Sequence, residues 1–321
     1  MNAPRRLWRV LAQPKIALPL LLTAGLLAAA AGLSDLPLVF ERIGQIPIRL
    51  LLLTLLLAAA YLLLKAVQFH YFLHDLGIPS HWRNLSLAYA IGELTLAFPM
   101  GIYAQNYLLL RLNGSRPSRS AAATTLMLML ETAMLLFTLA LTGVRGWPWL
   151  RLAAIGCLLG LIAFLALITR SHRLRRAIAG ALLRLHLPVR PYLHFVRSLR
   201  ILSSGAALLR HGYLTALYLA ALIGAFYVIA HGVGVPQISV HESAGIYAFS
   251  LTAALLLGSV TSQLGVVEVA GMGAAHAFGF DYTEGLAMLL GFRLVWTACI
   301  WLLCLPVVLR FKRDLNASPP T

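Results

Sequence analysis

The sequence predicts an all-α, polytopic membrane helical bundle, because three of its features agree. Hydrophobic residues make up 60% of the 321 residues and charged residues only 11%, against about 25% charged residues in soluble domains. Apolar runs near the ~20 residues that a bilayer requires recur along the chain. Two further apolar runs, 85–112 and 244–279, are broken near their middle, a pattern typical of transporters with discontinuous helices.

Six apolar runs are expected to cross the membrane completely. Arginines precede the first run, whose length favours an uncleaved span over a signal peptide. The predicted spans are 16–33, 46–64, 120–142, 152–169, 211–231 and 285–309. The chain is therefore expected to form a single membrane domain over 1–321, with a first half at 16–169 and a second half at 211–311.

The two broken runs are expected to be re-entrant hairpins, since each contains a helix-breaking segment. The first contains Phe98-Pro99-Met100-Gly101, and the second contains the segment from Gly258 to Gly265, which includes Gln263. Backbone freed from a helix inside a bilayer has to be buried in protein or to line a cavity. The two halves then form an inverted pseudo-repeat of span, hairpin and span, which predicts a substrate site near the midplane.

Positive charge predicts a bacterial inner-membrane protein with cytoplasmic N- and C-termini. The net charge is +16, and the positively charged residues lie between the apolar runs. This position is better explained by the positive-inside rule than by nucleic-acid binding. If both hairpins are re-entrant, Lys65, the nine arginines of 170–210 and the C-terminal cations lie in or beside cytoplasmic loops. The arginines expected elsewhere are Arg42, Arg49, Arg145, Arg151 and Arg293.

The basic segment 170–210 is predicted to form amphipathic helices at the cytoplasmic surface. Leu174, Ile178 and Leu185 follow helical spacing, and Arg173 and Arg176 fall on another face. Helices of this kind bind anionic membranes, so anionic lipids are the expected partners. A basic loop that only sets the topology is the alternative.

Five ionisable residues lie at membrane depth: Glu93, Glu131, Glu268, His276 and Arg293. Each charge there costs about 2.5–3.5 kcal/mol and requires a partner or a wet cavity. Glu268 and Arg293 lie at similar depths and are expected to form an ion pair, either as part of a substrate site or as a structural lock. The other two glutamates are expected to cluster with Arg111 or to bond polar neighbours such as Gln105 and Asn106. The histidine is expected to be packed and hydrogen-bonded.

Small residues at helical spacing predict two close helix contacts, Gly156-x-x-x-Gly160 and Gly271-x-x-x-Ala275. The three cysteines have neither metal-binding nor disulfide spacing, and the chain contains no familiar catalytic motif. Neither a metal, a cofactor nor an enzymatic activity is therefore expected.

Residues in both halves resemble the lysylphosphatidylglycerol synthase transmembrane family, the flippase-like domain. In the second half the resemblance rests on Gly265-Val266-Val267-Glu268, Gly279-Phe280, Ala287 and Gly291-Phe292-Arg293. In the first half it rests on Pro99, Gly101, Tyr107-Leu108-Leu109, the loop 111–119 and Glu131. It covers about residues 16–311, with Thr261-Ser262-Gln263-Leu264 in place of the family's Pro-Gly-Gly.

The resemblance implies movement of a lipid or lipid-linked substrate between leaflets. The sequence contains no ATP-binding motif, so the movement is expected to be coupled to ions, membrane potential or a downstream reaction. The expected substrate-binding residues are Glu268, Arg293, Gln263, Gly265, Glu131, Glu93, Pro99, Gly101 and Arg111. Bifunctional members carry a soluble aminoacyl transferase domain after the membrane part, and this chain ends at Thr321, so lipid aminoacylation is not expected. The competing interpretation is a non-transporting accessory protein that scaffolds a lipid or envelope polysaccharide pathway. Whether the protein binds a second copy of itself or a pathway enzyme stays open.

Overall fold

The computed structural model of the chain describes residues 25–95, 103–114, 117–144, 146–257 and 263–316. The regular structure of these residues is entirely helical, which confirms the predicted all-α membrane bundle. After helical residues 25–32 (α1), the helices are α2 (Leu36–Gly44), α3 (Ile48–Asp75), α4 (Trp82–Leu94), α5 (Ala104–Asn113), α6 (Pro117–Thr142), α7 (Trp149–Arg170), α8 (His172–Arg184), α9 (Val189–Leu202), α10 (Gly205–Gly232), α11 (Val240–Leu257), α12 (Gln263–Phe278) and α13 (Tyr282–Asn316).

Among the described residues, five helices are long and apolar enough to cross a membrane: α3, α6, α7, α10 and α13. They match the second to sixth predicted spans and extend beyond them at one or both ends. The largest difference concerns α3, which was predicted to end at Lys65 and continues to Asp75. It continues because no glycine or proline interrupts it before Gly77. Half of the first predicted span, 16–24, lies outside the described residues, and the other half, 25–33, contains α1.

Both broken runs form pairs of short helices. α4 and α5 have 13 and 10 residues, and α11 and α12 have 18 and 16, all below the ~20 residues of a full span. The two helices of each pair pack against one another. The predicted helix pairs are therefore present, and their re-entry on one side of the membrane stays a prediction. The first break, with Pro99 and Gly101, lies outside the described residues, and so do residues 258–262 of the second break, whereas its last three residues, 263–265, belong to α12.

The chain divides into two compact units, and each contains one of the helix pairs. The first-hairpin unit comprises Leu55–Phe137, Ala153–Leu222 and the chain from Thr297 onward. Its buried core is formed by large apolar side chains such as Phe69, Phe72, Leu85, Leu109 and Leu126.

The second-hairpin unit comprises the chain up to Thr54, Thr138–Leu152 and Ile223–Trp296. An aromatic cluster lies in its core, where the rings of Phe226, Tyr247 and Phe292 have centroids 5.5 to 5.7 Å apart. These three residues belong to α10, α11 and α13, so the cluster fixes α11 of the second hairpin against two long helices.

Capping boxes start two helices of the second-hairpin unit. At α11 the Glu242 N–H donates to Ser239 Oγ (3.2 Å), and the Ser239 N–H donates back to Glu242 Oε2 (2.8 Å). At α13 the Glu284 N–H donates to Asp281 Oδ1 (2.7 Å), and the Asp281 N–H donates to Glu284 Oε2 (3.3 Å). Each box satisfies N–H groups that the first turn of a helix leaves without an intrahelical partner.

One of the two predicted small-residue contacts is present. A methyl group added at Gly271 would overlap Ser250 of α11 and Leu289 of α13, so these helices approach closely there. The prediction for Gly156 and Gly160 is wrong, since nothing lies within 4 Å of a Cβ built at either glycine. Both face away from the protein on α7, the long apolar helix with the smallest buried share among the five.

Replacing Gly271 with Ala is expected to destabilise the protein by about 1–3 kcal/mol, because the new methyl group overpacks a filled contact. Gly273 of the same helix is the matched control, since a Cβ there would meet nothing within 4 Å. Gly273→Ala is expected to be neutral or to add up to about 1 kcal/mol through helix propensity. Thermal unfolding of the two purified variants measures the difference, and equal midpoints would contradict the close contact.

Candidate functional site

The second-hairpin unit contains a buried ion pair. Arg293 Nη1 of α13 donates to Glu268 Oε1 of α12 at 2.5 Å. The carboxylate side chain is 1% exposed, whereas the arginine side chain is 24% exposed. The contact predicted from the depths of the two residues is confirmed. The pair therefore has a fully buried acid and a partly exposed arginine side chain.

Glu268 also caps the regular turns of α12, which follow Gly265, the third residue of this helix. Its Oε2 accepts the backbone N–H of Gly265 at 2.7 Å, with the three-residue spacing of the two capping boxes described above. Gly265 has φ +87°, a conformation that glycine adopts without strain. A glycine has no side chain to complete the box, and the second carboxylate oxygen binds the guanidinium of Arg293 instead. The predicted site residue Gln263 begins α12.

The surroundings of this pair combine apolar and electropositive groups. Phe292 and Trp296, neighbours of Arg293 on α13, stack with ring centroids 5.4 Å apart. The start of α12 adds the partial positive charge of a helix N-terminus. Glu268 balances this local positive charge, so the exposed part of Arg293 is the group through which the site can meet an anion.

The first-hairpin unit contains a second buried charge cluster, centred on Lys65. Its Nζ lies 3.9 Å from Glu93 Oε1 and 3.5 Å from Glu131 Oε2. The three side chains are 3%, 7% and 10% exposed. The two glutamates were predicted as site residues, and the lysine was placed at a cytoplasmic loop. α3, α4 and α6 thus each contribute one buried charge to the first-hairpin unit.

Three tyrosines contact these charged side chains. The six residues are named the Lys65 cluster: Lys65, Glu93, Glu131, Tyr61, Tyr89 and Tyr218. Tyr61 accepts a hydrogen bond from Lys65 Nζ at 2.7 Å. Tyr89 donates to Glu93 at 2.7 Å, and Tyr218 donates to Glu131 at 3.3 Å. Lys65 Nζ also lies 4.8 and 5.3 Å from the ring centroids of Tyr61 and Tyr218, within cation–π range.

The predicted clustering of Glu93 and Glu131 with Arg111 is wrong. Arg111 lies exposed in the last turn of α5, and Lys65 is the cation between the two glutamates. Gln105 and Asn106, the other predicted partners, bond a threonine instead of the glutamates. Their amide nitrogens donate to Thr124 Oγ1 at 3.1 and 3.0 Å, which fixes α5 against α6.

His276 forms the expected local contacts. Its Nδ1 lies 3.3 Å from the Phe280 carbonyl oxygen, and its ring stacks on Tyr282 with centroids 4.2 Å apart. Its side chain is exposed, whereas the sequence predicted a packed one. The reason is its position near the end of α12, where a side chain can bond across the turn without being covered.

One comparison with known proteins identifies the chain. A family model described as Lysylphosphatidylglycerol synthase TM region matches residues 16–304. The matched range contains both helix pairs and both buried charge clusters. No curated protein matches the sequence.

Proposed function

Because this multi-pass membrane chain belongs to the lysylphosphatidylglycerol synthase transmembrane family, we propose that it is a flippase-like protein that moves a lipid or lipid-linked substrate between leaflets. We place it in the bacterial inner membrane, and the activity that we propose is movement of the lipid without chemical change. The observation that carries the proposal is the Arg293–Glu268 pair at the start of the half-helix α12.

The pair suits recognition of an anionic headgroup. A guanidinium binds phosphate oxygens through planar, charge-assisted hydrogen bonds, and a helix start favours the same anion. About a quarter of the Arg293 side chain is exposed, so a phosphate can reach it while Glu268 holds it in place. The partly exposed Trp296, which stacks on the buried Phe292, offers apolar contact for the first acyl carbons.

Glu268 also limits how tightly an anion binds. The carboxylate and a phosphate compete for one guanidinium, which weakens phosphate binding relative to an arginine without a counter-charge. A translocation site has to bind strongly enough to admit its substrate and weakly enough to release it. The ion pair therefore suits transport better than permanent lipid binding.

Reconstitution in liposomes with headgroup-labelled lipids tests the function. The wild-type protein is expected to move an anionic phospholipid between leaflets faster than a zwitterionic one. Arg293→Lys keeps the charge but loses the planar donor set, and it is expected to slow this movement at least tenfold while remaining folded. Arg49→Lys, at an exposed position, is the control and should retain the wild-type rate. No movement of any lipid by the folded wild-type protein would overturn the proposal.

We propose further that residues 170–210 and both termini face the cytoplasm, because positive charge favours that side. Cysteines introduced at the exposed positions Arg176 and Val240 are expected to react with a membrane-impermeant reagent from opposite sides of the membrane. The exposed Cys157 is first replaced by Ala. Labelling of both introduced cysteines from the periplasm would contradict this orientation.

Anionic lipids are the proposed partners of α8 and α9, which form the two helices predicted for the basic segment. Arg173 and Arg176 of α8 are exposed, and so are the large apolar residues Leu183 and Leu185. Replacing both arginines with Gln is expected to lower the enrichment of anionic lipid around the protein in mixed-lipid nanodiscs, by about 1 kcal/mol per arginine. Native mass spectrometry measures the enrichment, which should also fall as salt rises. Arg49→Gln, at an exposed position outside the basic segment, serves as control; an equal effect per charge there would argue against a dedicated surface.

A further inference from the structure

The Lys65 cluster has an unbalanced charge. Two carboxylates surround a single ammonium group, and all three side chains are at most 10% exposed. Among the residues that the structure describes, the other titratable groups that face them are the hydroxyls of Tyr61, Tyr89 and Tyr218 and the Cys304 thiol of α13, which are neutral when protonated. With both glutamates ionised, the cluster would therefore hold a net charge of −1 inside an apolar helical unit.

A buried net charge is unfavourable in an apolar medium, and the smallest change that removes it is the binding of one proton. Both carboxylates lie around the same ammonium nitrogen, so the proton belongs to the pair and not to one residue. We propose that the Lys65 cluster binds one exchangeable proton, shared by Glu93 and Glu131, and that this proton couples the proposed lipid movement to the pH gradient across the membrane. The coupling half of this proposal rests on the proposed function, and the proton site does not.

The hairpin arm α4 is the element that the proton would act on. Glu93 lies near the end of α4, and its bond to Lys65 connects this arm to α3, whereas Glu131 belongs to the long helix α6. A proton on Glu93 leaves the Lys65–Glu131 pair intact and releases α4 from the ammonium. A proton on Glu131 leaves α4 bound to α3. The position of one proton, taken from water and returned to it, thus decides whether α4 is bound to α3 by this ion pair in addition to its packing in the apolar core.

Infrared difference spectroscopy of the full-length protein in nanodiscs tests the proton site directly. The wild-type protein is expected to show the carbonyl band of one protonated carboxylic acid at neutral pH. Glu93→Gln and Glu131→Gln should each remove the whole band, because either substitution leaves one carboxylate paired with one ammonium. Lys65→Met should instead add a second protonated acid. Glu41→Gln, at an exposed position of α2, is the control and should leave the band unchanged.

A wild-type spectrum without the band would overturn the proton site, and so would a band that survives in either glutamine variant. The coupling is tested separately in liposomes, where a pH gradient is expected to accelerate lipid movement by the wild-type protein and to have no effect on Glu93→Gln. Lipid movement that ignores the gradient in the wild-type protein would overturn the coupling. The band without any lipid movement would support the proton site and overturn the proposed function, so the two failures are distinguishable.

Discussion

Arg293→Gln is expected to destabilise the second-hairpin unit by roughly 3–5 kcal/mol, since it leaves the carboxylate of Glu268 buried beside a neutral partner. The carboxylate is 1% exposed and cannot turn to water for compensation. The remaining hydrogen bond from the Gly265 N–H is too little to stabilise a full charge there. Thermal or denaturant unfolding in detergent measures the loss, with Arg49→Gln as the exposed control, for which a change within about 0.5 kcal/mol is expected.

Exchanging the two charges, Glu268→Arg with Arg293→Glu, is expected to recover only part of this loss. The exchange restores an ion pair, but an arginine at 268 cannot accept the N–H of Gly265. It also places a positive charge at the start of α12, where the helix dipole disfavours it. Full recovery of stability by the exchange would show that the capping contact of Glu268 has no energetic weight.

Lys65→Met is expected to be as costly, roughly 3–5 kcal/mol, because it removes the cation between two buried acids, and the remaining carboxylate then has to stay unpaired or to bind a second proton. Adding Glu93→Gln and Glu131→Gln to the same variant should recover most of the loss, since an amide is neutral without binding a proton. The unfolding midpoints of the single and triple variants measure this difference. If the triple variant were no more stable than Lys65→Met alone, the cost would come from lost packing of the lysine stem.

Arg111→Met is the matched control for this experiment. Arg111 is a cation of the same unit and was predicted as the partner of the two glutamates, yet it lies exposed on α5. Its replacement is expected to change stability by no more than about 0.5 kcal/mol. A loss comparable to that of Lys65→Met would show that the exposed arginine, and not the buried lysine, balances the acids.

The ion pair of the second-hairpin unit could be predicted from sequence because the depth of each of its residues follows from a separate count. Glu268 lies at a fixed number of residues after the break, and Arg293 lies at a fixed number after the start of the last span. A helix advances by the same length per residue, so both depths follow from counting. The capping contact with Gly265 could have been predicted too, since Glu242 and Glu284 form the same contact and all three acids follow their cap residue by three positions.

Lys65 was missed because it directly follows a leucine-rich run, where a cation is usually read as the end of a span. The sequence after Lys65 indicates instead that the helix continues. No glycine or proline occurs between Lys65 and Asp75, and Phe69, Phe72 and Leu73 continue the helical spacing of buried residues. Arg111 was chosen in its place because it lies near the first break, and sequence alone does not show which face of a short helix is covered.

The position of Lys65 inside α3 has a consequence for how the protein is made. The ribosome delivers Lys65 before Glu93 and Glu131, so α3 enters the membrane while its ammonium has no counter-charge. A lysine at the centre of an inserting helix costs about 2.5–3.5 kcal/mol, and the ten leucines between Leu50 and Leu64 contribute roughly 3–6 kcal/mol in the other direction. The leucine run is therefore long enough for α3 to insert alone and to wait in the bilayer until its acidic partners are synthesised.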